Sequence, residues 1–111
     1  MPRPVNPPLV RRAQADLDVI DAVDHCLAES LSTAEGFVAA IEKAYGHIQR
    51  APATGSPRWA HELNIPGLRS WPCLPYKQQV FYVVRPERIE VWRVLHGSRD
   101  IPARLRHDTG L

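Results

Sequence analysis

The chain has 111 residues, 44% of them hydrophobic, with a formal net charge of +2. That length predicts one domain with one modest core, and the apolar content excludes a disordered chain. No apolar run approaches the ~18 residues of a membrane span, and the opening Met1-Pro2-Arg3-Pro4-Val5-Asn6-Pro7-Pro8 lacks the apolar stretch of a secretory signal, so a cytoplasmic location is expected.

The charge is unevenly spread. Residues 1–57 sum to −2 and residues 58–111 to +4, nearly all of the cations being arginine. Arginine suits bidentate contact with carboxylate or phosphate, so the second half is either a solvated surface or a basic face for an acidic partner. Cys26 and Cys73 read as buried free thiols in a cytosolic protein of ordinary core size. The five histidines form no metal-ligand spacing and no glycine-rich phosphate loop is present, so neither metal nor cofactor is expected.

Residues 1–8 hold four prolines and read as a flexible arm. Leu9–Arg12 suggests a short edge strand. Ala13–Ser30 predicts a helix, with Leu17, Ile20, Val23, Leu27 and Leu31 as its core stripe and its aspartates at the helix start and on the solvent face. Ser32 to Glu35 fits a capping box that opens a second helix reaching Arg50. Its apolar stripe is Phe37, Ala40, Ile41, Ala44 and Ile48, and Ala51-Pro52 ends it. Helices so closely joined must be antiparallel neighbours.

Pro52 to Gly67 reads as loop. Three strands follow, at 68–71, 78–84 and 89–95, the last two joined by the turn Arg85-Pro86-Glu87-Arg88. Strict alternation puts Trp92, Val94 and His96 on one side of the last strand and Ile89, Val91, Arg93 and Leu95 on the other. The expected fold is α+β: a two-layer sandwich in which an antiparallel two-helix hairpin covers one face of a three- to four-stranded antiparallel sheet, in the order β-α-α-β-β-β. The domain is expected over residues 9–105, with a tail at 106–111. The other sheet face would be left open, and a small monomer with such a patch has a partner for it.

Four segments, in order, resemble the ParE side of the ParE/RelE toxin superfamily over residues 13–105. They are Ala13-Gln14-Ala15-Asp16-Leu17, Pro52-Ala53-Thr54-Gly55-Ser56-Pro57-Arg58, Ile65-Pro66-Gly67-Leu68-Arg69-Ser70-Trp71-Pro72, and Arg93-Val94-Leu95-His96-Gly97-Ser98-Arg99-Asp100-Ile101. The last is the most specific. The resemblance implies the toxin of a type II toxin–antitoxin, or plasmid-stabilisation, system. It implies neutralisation by a ParD-like antitoxin in a hetero-oligomer, and inhibition of DNA gyrase by binding, without sequence-specific DNA binding by this chain. The alternative it carries is a RelE-type, ribosome-dependent mRNA endonuclease. RelE-like ribonucleases hold an arginine where this chain has Gln79, and a tyrosine or histidine where it has Leu105. If the chain cuts RNA, Lys77, His96 and Arg99 are its catalytic candidates, with His107 a looser substitute.

The target-binding candidates are Arg69, Arg93, His96, Arg99 and Arg104, and the antitoxin-binding candidates are Trp71, Tyr82, Trp92 and Val94. Each has a structural alternative. His96 either acts as a base or closes the strand end. Arg69 and Arg93 meet either a partner or a carboxylate such as Asp100. Trp71 and Trp92 are either anchors or core, and Tyr82 reads as core with its hydroxyl at the rim.

Overall fold

The computed structural model describes residues 7–97 and 101–109. The elements run β1 (Leu9–Arg11), α1 (Ala13–Glu29), α2 (Leu31–Arg50), a 3-10 turn (Pro52–Thr54), α3 (Arg58–Leu63), β2 (Leu68–Pro72), β3 (Gln78–Val84), β4 (Ile89–His96) and α4 (Ile101–Thr109). The helix hairpin and the strand meander are as expected. The 3-10 turn and α3 occupy what was read as plain loop. α4 runs through the expected domain end at residue 105.

The α1–α2 hairpin turns on one residue. The Ser30 N–H caps α1 by donating to the Cys26 carbonyl, and its Oγ caps α2 by accepting from the Thr33 N–H at 3.1 Å. The cap is therefore Ser30, and the expected Ser32 lies inside the first turn. The buried face of α1 is also different from the one expected. Ala15 and Cys26 are buried, with Val19, Ala22 and Val23 packed against the core, whereas Leu17, Ile20 and Leu27 point outward. The small residues let α1 lie close against β4 and α2, which a leucine face would hold off.

The sheet order is β1-β4-β3-β2. β2, β3 and β4 pair antiparallel, while β1 joins β4 in parallel, making the sheet mixed rather than purely antiparallel. The register jumps from Tyr82↔Val91 to Phe81↔Arg93, so Trp92 is an extra residue on β4. Such a bulge resets alternation. Ile89, Val91 and Val94 accordingly share the core under the hairpin, and Trp92 and Leu95 share the opposite one.

That opposite core corrects a second expectation. Leu63, Ile65, Leu68, Phe81, Val83, Trp92, Leu95, Ile101 and Leu105 form a buried cluster between the sheet and α3 and α4. The face expected to be open is sheathed by the chain itself. Each large side chain sealed there contributes about 1.5–3 kcal/mol.

No helix among the described residues is long and apolar enough to cross a membrane, and no cluster of His, Cys, Asp or Glu among them is arranged to hold a metal. Cys26 and Cys73 are buried free thiols.

Candidate functional site

The segments that carry the family resemblance converge on the sheet, and several prove to be scaffolding. Tyr82 Oη donates to the Pro52 carbonyl at 2.7 Å and accepts from the Gly55 N–H at 3.1 Å. Arg69 Nη1 donates to the Gly55 carbonyl at 2.7 Å, and Ser56 and Ser70 exchange backbone hydrogen bonds at 2.9 and 3.0 Å. Burial pushes the Tyr82 hydroxyl pKa up, against the lowering influence of the Gly55 N–H and the Arg69 charge. It stays protonated and keeps its donor. Thus Pro52, Gly55 and Arg69 fasten the segment after α2 to the sheet.

Arg93 is similarly engaged. β1 ends opposite Val91, leaving the rest of β4 as a sheet edge. Asp18 of α1 caps that edge. Its Oδ2 accepts from the Val94 N–H at 2.9 Å and from Arg93 Nε at 2.7 Å, and its Oδ1 accepts from Arg93 Nη2 at 2.9 Å. Both side chains are nearly sealed, at 5% and 9% exposure. Asp18, read as a solvent-face residue, is the carboxylate that Arg93 was expected to need.

Glu90, also buried, organises a third cluster. It accepts from Arg88 Nε at 2.8 Å and Trp92 Nε1 at 3.1 Å, with Arg85 and Arg12 at 3.5 and 3.6 Å. The Arg12 guanidinium also lies 4.0 Å over the Trp92 ring. Desolvation raises the Glu90 pKa, but the bonds from Trp92 and Arg88 and the charges of Arg85 and Arg88 outweigh it, and the net shift is downward.

Of the expected antitoxin anchors, Tyr82, Trp92 and Val94 are buried in the two cores. The chain already covers them. Trp71 stays partly exposed. Its ring stacks on His47, with centroids 3.8 Å apart and an interplanar angle of 14°. Together they floor a cavity of about 200 Å³ with Lys43, Arg50, Pro72 and Leu74 on its walls. Pro72 and Leu74 also border a second cavity of about 360 Å³ that reaches Lys77, Gln79, His96 and Gly97. The two make one trough along the β2 edge. Lys43, Arg50 and Lys77 line it, and among the described residues none that lines it is acidic.

His96 is half-buried at the end of β4, paired opposite Gln78. Beside it, Lys77 contributes its carbonyl to the Gly97 N–H at 2.8 Å and leaves its ammonium exposed. Arg104 is exposed on α4 and borders a cavity shared with His25 and His96. Arg99 and Asp100, and the side chain of His107, lie outside the described residues.

Sequence reasoning missed His47, Lys43, Arg50 and Leu74. A cation pair one α2 face apart and a leucine between two prolines were the only signals, and neither points to Trp71 without the fold.

The sequence matches the family described as ParE toxin of type II toxin-antitoxin system, parDE, over residues 9–101, and the chain belongs to that family. Its fold is similar to a solved structure described as the chromosomal ParDE TA system from P. aeruginosa. The TM-score is 0.69 at 18% identity, covering 84% of this chain and 98% of that one. No sequence among the curated proteins matches the chain significantly.

Proposed function

We propose that this ParE-family toxin arrests growth by binding DNA gyrase, acting as an inhibitor rather than a nuclease, and that a ParD-like antitoxin neutralises it. One observation carries the choice of binding over RNA cleavage. Leu105, where RNA-cutting relatives hold a tyrosine or histidine, is fully buried between α4 and the sheet. Cleavage beside a 2′-hydroxyl needs a base, an acid and a cation for the phosphate. A leucine in the core supplies none of these, and neutral Gln79 stands where an arginine would.

The trough suits the antitoxin. An acidic, apolar tail would place carboxylates against Lys43, Arg50 and Lys77 and apolar side chains on Trp71 and Leu74, the latter 75% exposed.

Induction of the toxin with plasmid topology, cleaved-DNA complexes and transcript integrity followed together tests the target. The expected result is gyrase-linked DNA damage with intact transcripts. Fragmented mRNA before any DNA damage would overturn it in favour of the nuclease. Trp71→Ala should weaken capture of the antitoxin without changing toxicity.

A further inference from the structure

The sheet face beneath α3 and α4 is apolar for most of its length and turns polar at one end. Alternate strand residues point the same way, so Leu68 and Ser70 of β2 share that face with Val83, Phe81 and Gln79 of β3. Leu68, Phe81 and Val83 are sealed in the core. Ser70 and Gln79 stand where the cover ends, on the walls of a cavity of about 230 Å³. Trp59, Phe81 and Ile101 supply its apolar walls.

The polar groups on this cavity are not used by the fold. Ser70 is 6% exposed, and its backbone N–H and carbonyl are bonded to Ser56. Its Oγ makes no hydrogen bond among the described residues. The half-buried Gln79 amide makes none among them either. A nearly buried hydroxyl without a partner adds nothing to stability, and alanine would pack there without that cost, so Ser70 points to a use other than folding. Ser56 Oγ accepts from the Arg58 N–H at 3.3 Å and keeps its own proton to donate. Arg58 is exposed at the mouth. Its guanidinium lies 4.5 Å over the Trp59 ring and 4.0 Å from Glu62, too far for a hydrogen bond.

These groups define the ligand. The cavity is smaller than the ~300–1,000 Å³ of sites for drug-sized molecules, so it admits one ring system and not a chain. Aromatic walls suit a flat ring. The two hydroxyls and the amide are neutral, which suits an uncharged ring edge, whereas a carboxylate or ammonium placed against them would go unpaired. The Gln79 amide offers a donor beside an acceptor, which matches the amino group and neighbouring ring nitrogen of adenine. Arg58 stands where a phosphate attached to that ring would emerge.

We propose that this cavity binds a free adenine nucleotide, with the base between Trp59 and Phe81, its edge on Gln79 and Ser70, and its phosphate toward Arg58. The nucleotide is held and not cleaved. No residue offered for gyrase contact lines the cavity. Gln79 and Gly97 border the trough as well, but the antitoxin reading rests on Lys43, Arg50, Trp71, Leu74 and Lys77. Nucleotide binding therefore stands if either of those readings falls.

Isothermal titration of the purified full-length chain with adenosine monophosphate tests it, beside guanosine monophosphate, adenosine, ribose 5-phosphate and a short oligoadenylate. Adenosine monophosphate should bind at least about tenfold more tightly than guanosine monophosphate or ribose 5-phosphate, and be recovered intact. Adenosine should bind about three- to tenfold more weakly than its monophosphate, and Arg58→Gln should erase that difference. Ser70→Ala should weaken binding by about three- to tenfold at an unchanged or higher melting temperature, because it removes a hydroxyl that bonds to nothing in the fold. Gln79→Glu should turn the preference toward guanosine monophosphate, whose ring N–H and amino group set two donors side by side before an acceptor-only carboxylate. Amide shifts should centre on Trp59, Ser70 and Gln79.

No binding of adenosine monophosphate would overturn the proposal, as would equally tight binding of ribose 5-phosphate, which would report only a phosphate on a surface arginine. Full affinity in both Ser70→Ala and Gln79→Glu, or shifts confined to the trough, would overturn it too. Tighter binding of the oligoadenylate would do the same by assigning this surface to a nucleic-acid strand.

Discussion

Gly55 has no space for a side chain. A Cβ built there would lie 2.1 Å from Tyr82 Oη and 3.0 Å from the Ser70 carbonyl oxygen. Its backbone φ of −66° is open to any residue, so the need is for room, not for unusual torsion. Gly55→Ala should cost about 1–3 kcal/mol in urea denaturation. Tyr82→Phe, which strands the Gly55 N–H, should cost about as much. Tyr45 behaves oppositely. Its hydroxyl is buried with no hydrogen-bond partner among the described residues, and burial pushes its pKa to about 12. Tyr45→Phe should leave stability unchanged or raise it by up to ~1 kcal/mol in the same assay. Glu90 sets an acid limit. Its folded pKa lies below the 4.5 of a free glutamate, so its contribution is complete above that pH and fades as pH falls through the lower folded value. Glu90→Gln should flatten the acid limb of a plot of stability against pH. The motif containing Pro52 and Gly55 was legible in the chain. Its reason was not, because Tyr82 is 30 residues away from Pro52 and nothing local says that its hydroxyl returns there.

Among the elements, α1 shows where periodicity stops informing. Two rows compete on it, one of large aliphatics and one of small residues, and both have helical spacing. Residue size favours the large row, but contact with β4 and α2 favours the small one. The bulge at Trp92 is likewise silent in the sequence, and it moved Val94 to the side of Val91. α3 is six residues between Pro57 and Asn64, the latter at a left-handed φ of 54°, and is too short for a periodic signal. The hairpin joint, by contrast, was read to within two residues. Ser30→Ala should cost about 1 kcal/mol by removing the α2 cap. Asp18→Ala, which leaves Arg93 charged and buried without its carboxylate, should cost about 3–5 kcal/mol. Chemical denaturation of both variants gives the comparison.

Across the whole molecule, the meander, the hairpin and their order followed from apolar patterning and turn residues. The sheathing of the second sheet face did not, because α4 has a mean composition more polar than a core helix and hides two anchors, Ile101 and Leu105, among arginines. Leu105→Ala should cost about 2–5 kcal/mol and change the fluorescence of Trp92, which shares that core. Arg104 is exposed on α4, so Arg104→Gln should keep the melting temperature, and a drop in growth arrest would then report on target contact. Gln79→Ala should leave growth arrest intact, and its abolition would favour RNA cleavage.

The first strand rests against the last one, and Asp18 meets Arg93 across 75 residues. Contacts so distant along the chain form late. During synthesis the amino-terminal helices leave the ribosome well before the strand they close upon, and the sandwich is completed only when translation is nearly over. A product that stops short of β4 lacks both the strand that β1 pairs with and the arginine that Asp18 meets, and so cannot close the sandwich.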